Sequence, residues 1–120
     1  MTTLISAPTR IEAAGIPPKT ISEFIGHLAT GNADVSVAVM DSPKGWSESG
    51  QTPEFDEYSL VLAGELVAET RDGSVSASQG QALLTRAGEW VRYSTPGDGG
   101  ARYVSVCLPA FSPATVHRDD

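Results

Sequence analysis

Glu57 is the carboxylate whose neighbours make it a candidate for chemistry. It opens the alternation Glu57-Tyr58-Ser59-Leu60-Val61, and residues two apart share a face of a β-strand. The face that carries Ser59 and Val61 into a barrel therefore carries Glu57 with it. A carboxylate in such an interior must be paired, hydrogen-bonded or protonated. Burial raises its pKa, which suits a general acid or base near neutrality. The competing reading is a structural carboxylate bonded to Gln51, a tyrosine or the backbone.

Other residues could line a site around it. Val91, Tyr93 and Thr95 share one face of an alternating strand, and Trp46 adds a further aromatic. An aromatic wall with a few polar groups is the usual make-up of a ligand pocket. Gln51, Tyr93, Trp46 and Val91 are thus the candidate ligand-binding residues beside a catalytic Glu57. Each also has a plainer reading: core packing for the aromatics and a turn position for Gln51 within SESGQTP. The arginines Arg86, Arg92 and Arg102 fit solvated strand edges as well as they fit a carboxylate ligand. Cys107, the one cysteine, reads as a small core residue, because nothing near it in sequence supplies the positive surroundings of a reactive thiol.

Metal chemistry has little to draw on. The two histidines are His27 and His117, whereas zinc, iron, nickel or copper needs three or four good donors. One conceivable set joins Glu57 and Tyr93 to His117, with the C-terminal tail folded back over a barrel mouth. The alternative leaves His117 in solvent with Arg118, Asp119 and Asp120. No cofactor is expected.

The elements that must position these groups follow from the pattern. Residues 1–19 are broken by Pro8, Gly15, Pro17 and Pro18 and read as an arm crossing the body or reaching a partner subunit. Thr20-Ile-Ser-Glu23 has the form of a capping box, and Ile21, Phe24, Ile25 and Leu28 follow at helical spacing. This predicts one short helix within residues 20–30. From residue 34 the period changes to two, with Val35, Val37 and Val39 alternating. Tyr58 to Thr70 reads as a hairpin turning at Ala63-Gly64, and Arg71-Asp72-Gly73-Ser74 as a second turn. Short strands continue through Val75–Ser78, Ala82–Thr85, Trp90–Ser94 and Arg102–Leu108, with a tail at 109–120. Many short strands at this spacing predict an all-β sandwich or barrel in a single domain of residues 1–120.

Two stretches carry a family resemblance. Gly45-WSESG-Gln51-T-Pro53-EFD-Glu57-YSLVLA-Gly64 resembles the first cupin signature, G-x5-H-x-H-x3-E-x6-G. Gly80-QALLT-Arg86-A-Gly88-EW-Val91-RYS-Thr95 resembles the second, G-x5-P-x-G-x2-H-x3-N. The glycines and the Glu are in place, and Gln51, Pro53 and Val91 stand where the family carries histidines. The resemblance implies a double-stranded β-helix, or jelly-roll barrel, over residues 34–108. It implies that Glu57 occupies a metal-ligand position whose nitrogen partners are gone. The histidine-poor form is similar to the ethanolamine-utilisation type of cupin.

Composition sets outer bounds. The formal net charge is -7, so phosphate backbones and anionic membrane surfaces are expected to be repelled. A lone cysteine and the lack of a basic, apolar leader predict a cytoplasmic protein. The functional expectation is a cupin-fold barrel that binds a small molecule, with non-redox turnover at Glu57 as its catalytic form. Its rivals are a non-catalytic sensor or assembly subunit and a metal enzyme with unusual ligands. A homodimer is expected, formed through the arm and the barrel's edge strands.

Overall fold

The computed structural model describes all 120 residues and contains nine strands. They are β1 (Thr9–Ile11), β2 (Thr20–Ile25), β3 (Ser36–Ser42), β4 (Trp46–Ser47), β5 (Asp56–Thr70), β6 (Gly73–Ser78), β7 (Ala82–Thr85), β8 (Val91–Thr95) and β9 (Ala101–Leu108). All pairings are antiparallel, in the order β1-β2-β3-β9-β5-β8-β4, with β6 and β7 added on β5. The sheet curls into a jelly-roll barrel, as the family resemblance implied. No helix of the structure is long and apolar enough to cross a membrane.

The expected hairpin of Tyr58–Thr70 is instead one bent strand. β5 runs without a break for 15 residues. Its first half pairs with β9 and β7, and its second half with β6 and β8. Gly64 (φ 78°) and the bulge between Val61 and Ala63 mark the bend. A Cβ on Gly64 would lie 2.0 Å from the Gly100 carbonyl oxygen, and one on Gly100 would lie 2.1 Å from that of Ser42. The glycine that reads as a turn is therefore a corner, where three backbone segments meet without side chains between them. The Arg71-Asp72 turn forms as expected, closing β5 onto β6 with Thr70 opposite Gly73.

The expected helix of residues 20–30 is absent. Thr20–Ile25 is β2, held on one edge by β1 and on the other by β3. Its β-branched and aromatic residues suit a strand once two ladders are on offer. The Glu23 carboxylate does not return to Thr20 to complete a capping box. It accepts hydrogen bonds from the Leu28 and Ala29 amides (3.1 and 2.9 Å), closing a tight turn after Gly26.

Both chain ends lie on their own barrel. Ile16 and Ser47 exchange backbone hydrogen bonds, and Trp46 Nε1 donates to the Ala14 carbonyl. The tail runs beside residues 50–54: the amides of Thr52, Glu54 and Asp119 bond the carbonyls of His117, Thr115 and Gly50. The main core gathers Trp46, Val61, Leu66, Val91, Tyr93 and Tyr103 with smaller residues, and a second cluster joins Phe55, Cys107 and Val116.

Replacing Gly64 or Gly100 by alanine is expected to destabilise the protein by about 1–3 kcal/mol from the backbone conformation alone, and by more where the new Cβ meets a carbonyl. Gly45→Ala has the same sign of φ but open space around it. Thermal melts should rank Gly45→Ala well above the other two.

Candidate active site

The inward faces of three strands meet in a polar belt. β5 contributes Val61, Ser59 and Glu57 in turn; β9 contributes Tyr103, Ser105 and Cys107; β3 contributes Met40, Ala38 and Ser36. The registers place Ser59 opposite Ser105, Glu57 opposite Cys107 and Ser36 opposite Cys107. The interior is apolar towards Val61 and Tyr103, polar through the serines and Glu57, and apolar again at the Phe55 cluster. Between the two clusters lies a narrow cavity of about 50 Å³.

Glu57 lines this cavity with Lys19, Glu23, Glu48, Gln51 and Arg118. Its Oε2 accepts from Ser105 Oγ at 2.8 Å. Arg118 Nη1, brought by the tail, donates to Glu48 Oε2 (2.9 Å) and to Gln51 Oε1 (3.0 Å). Glu48 and Gln51 are buried. Lys19 reaches in from the arm, 4.0 Å over the Trp46 ring, and donates to Tyr103 Oη at 3.3 Å. Ser59 Oγ, opposite Ser105, is buried without a hydrogen-bond partner.

The electrostatics follow from this packing. Burial pushes the Glu57 carboxyl above its ordinary range, and the Glu48 charge adds to the rise. The Ser105 hydrogen bond, Lys19 and Arg118 pull the other way without cancelling it. Burial, helped by the Glu57 charge, also drives the Tyr93 hydroxyl and the Cys107 thiol upward. Cys107 is thus an unreactive core thiol.

The structure brings together only part of the predicted site. Glu57 and Gln51 share the cavity, and Gln51 is a buried acceptor for Arg118 rather than a surface-turn residue. Tyr93, Trp46 and Val91 are buried in the main core, outside the cavity lining. Tyr93 bonds Thr85 through its hydroxyl (3.0 Å), and Trp46 meets the cavity lining through Lys19 and the Ala14 carbonyl. The conceivable metal set of Glu57, Tyr93 and His117 does not assemble. His117 is exposed and paired with Glu54, and no three His, Cys, Asp or Glu side chains are placed to hold one ion. Lys19, Glu23, Glu48, Ser105 and Arg118 were not foreseen. Ser105 alone had a local signal, in the alternation Tyr103-Ser105-Cys107.

The architecture is that of the all-β jelly-roll barrels, and comparison makes it more specific. Its solved counterparts include the EutQ protein of Clostridium difficile (TM-score 0.62, 21% identity, 78% of this chain and 64% of that one). They include a Streptomyces PAC13 variant with uridine (TM-score 0.75, 12% identity, 99% and 90%). A third is the cupin domain of Schizosaccharomyces pombe Cnp3 (TM-score 0.65, 10% identity, 76% and 61%). This chain has the cupin fold, with the ethanolamine-utilisation barrel among its counterparts. No protein-family model matches it.

One curated relative is similar in sequence. Over 103 residues, 84% of this chain, it is 46% identical to the endoribonuclease YbeY of Myxococcus xanthus (strain DK1622). The chain spans about a third of that relative's length, 34%. This kinship corrects the functional expectation. The small-molecule barrel, whether enzyme, sensor, assembly subunit or atypical metal enzyme, was inferred from a fold that hosts many functions. The relative carries the name of an RNA-cleaving enzyme.

The raised pKa of Glu57 has a consequence for stability. Below the ordinary value of 4.5 the carboxyl is protonated whether the chain is folded or not. Above it the unfolded chain ionises first, so stability is lost as pH rises towards the folded pKa. Glu57→Gln removes that loss. Melting temperatures of the two proteins should converge below pH 4.5 and separate towards neutrality, with the variant the more stable. A variant less stable at every pH would mean that Glu57 is held as a charged partner.

Proposed function

We propose that this chain takes part in endoribonucleolytic RNA cleavage, with the cavity around Glu57 as the place where a phosphodiester is broken. The observation that carries the reading is the 46% identity with part of an endoribonuclease. The site supports it through what phosphodiester transfer requires. These needs are a base for the 2′-hydroxyl, an acid for the departing 5′-oxygen, and positive charge for the phosphoryl oxygens.

Each need has a candidate. Glu57, with its raised pKa, is the acid. Glu48, paired with Arg118 through one oxygen at 2.9 Å, presents its other oxygen as the base. Lys19 and Arg118 are the cations. The 2′-oxygen loses its proton to Glu48 and attacks phosphorus, and the bond from phosphorus to the 5′-oxygen breaks. Glu57 protonates that oxygen, leaving a 2′,3′-cyclic phosphate and a 5′-hydroxyl. The uridine held by the PAC13 variant indicates that this fold has room for a nucleoside.

The reading calls for no metal or other cofactor. Each of the three cavity carboxylates already has a hydrogen-bond partner: two backbone amides for Glu23, Arg118 for Glu48 and Ser105 for Glu57. The charge of -7 keeps non-specific binding of long backbones weak. A single-stranded RNA presenting one phosphodiester is therefore the substrate class. We place the activity in the cytoplasm, where the free Cys107 stays reduced.

The test is cleavage of end-labelled single-stranded RNA by the purified chain. Glu57→Gln and Glu48→Gln should each slow it by at least about 100-fold, the usual contribution of a positioned acid or base. Wild-type activity should decline as pH rises past the Glu57 pKa. Absence of cleavage by the wild type, or equal cleavage by Glu57→Gln, would refute the proposal.

A further inference from the structure

Beside the cavity, the arm and the tail enclose a second space. The arm at residues 11–14 forms one wall and the tail at residues 111–118 the other, and the groove between them has a volume of about 460 Å³. Ile11, Ala14, Phe111 and Arg118 line both this groove and the cavity that holds Glu57. The two spaces therefore adjoin, with Arg118 on their common wall.

The groove is mostly apolar, and its charged or ionisable side chains are Glu12, His117 and Arg118. Two of these are already committed: His117 is paired with Glu54, and Arg118 with Glu48 and Gln51. Glu12 is exposed on the arm, just after β1, and its carboxylate is left free to meet a ligand.

We propose, on the reading of the cavity as a phosphodiester site, that the groove binds a guanine nucleoside whose base is read by Glu12. An ionised carboxylate is acceptor-only, with two oxygens side by side. Guanine presents two neighbouring donors on its pairing edge, N1–H and the 2-amino group. Adenine and cytosine each set one amino donor beside a ring-nitrogen acceptor, and uracil sets one N–H between two carbonyls. Each of those acceptors would face a carboxylate oxygen, so Glu12 selects guanine over the other three bases. Unpaired RNA bases are commonly read on this edge while they stack on an aromatic side chain. Phe111, its ring set edge-on to Phe55 with centroids 5.9 Å apart, supplies that aromatic.

Arg118 fixes the side of the bond. Its Nη1 donates to Glu48 at 2.9 Å, so the carboxylate assigned to the 2′-hydroxyl is one hydrogen bond from the groove wall. The nucleoside in the groove is then the one that carries the attacking 2′-oxygen. Cleavage falls on the 3′ side of guanosine and leaves guanosine 2′,3′-cyclic phosphate.

Calorimetric titration of the purified chain with the four free nucleosides tests the groove without any cleavage. Guanosine should bind at least about tenfold more tightly than adenosine, cytidine or uridine, the effect of one hydrogen bond to a charged group. Inosine, which lacks the 2-amino donor, should lose about the same factor. Glu12→Gln, whose amide brings a donor into the groove, should lower guanosine to the level of the others and leave the thermal melt unchanged. Mapping the ends left on a mixed-sequence single-stranded RNA tests the two sites together: the wild type should leave guanosine ends, and Glu12→Gln should lose that preference. Guanosine selectivity without cleavage would uphold the groove and refute the cavity as a phosphodiester site. Equal or absent binding of the four nucleosides, inosine binding as well as guanosine, selectivity that survives Glu12→Gln, or cleavage without preference for guanosine would each overturn the groove assignment.

Discussion

The corner of β5 is the constraint on which the rest of the barrel depends. One strand serves both halves, pairing with β9 and β7 before Gly64 and with β6 and β8 after it. The change of partners requires a sharp bend, and the bend brings the backbones at Gly64, Gly100 and Ser42 within van der Waals reach. Two side chains are forbidden there so that two sheets can share one strand. Because β5 is continuous, the same backbone that holds Val61 and Leu66 in the main core also sets the height of Glu57. A shift in the corner would move the carboxyl relative to Ser105 on β9.

Three glutamates in one cavity would repel one another if each were left charged and alone. The structure gives each a different remedy. Glu23 is absorbed by backbone amides, Glu48 by a guanidinium, and Glu57 by a serine hydroxyl while burial raises its pKa. Buried polar groups stabilise little by themselves, but losing one partner leaves its mate unsatisfied at a cost of about 1–3 kcal/mol, more when charged. The belt is therefore rigid by necessity. Arm and tail are part of that bargain, since Lys19 and Arg118 come from the two ends of the chain.

Strand periodicity was legible because alternation is a local property. Val91, Tyr93 and Thr95 are all buried on one face, as their spacing predicts, and the glycine-marked motifs announced the barrel. Failures came where one local pattern has two physical outcomes. Thr20-Ile-Ser-Glu23 is the same string whether Glu23 caps a helix or ties a turn, and only the edges of β1 and β3 decide. Gly64 in positive φ serves a hairpin or a corner equally well. The aromatics were assigned to the site because sequence cannot distinguish a wall of the core from a wall of the cavity. The cavity was mostly hidden because Lys19, Glu48, Ser105 and Arg118 are up to 99 residues apart and share no spacing.

The substituted motif positions have a common physical logic. Where the resembling signature carries histidines, Gln51 is buried and bonded to Arg118, Pro53 accepts the Gly88 amide through its carbonyl, and Val91 is sealed in the core while its backbone pairs with Gln51. None of these is an idle gap: each position has been taken over by packing or hydrogen bonding. A positive charge nevertheless remains at the same end of the barrel, as the Arg118 guanidinium pinned between Glu48 and Gln51. A guanidinium cannot give up its charge at any pH the protein meets, and it presents its donors in a fixed plane. Beside a carboxylic acid held above its usual pKa, it keeps a fixed cation and a proton source side by side. Gln51, Pro53 and Val91 thus leave a fixed cation, and no nitrogen donors, at this end of the barrel.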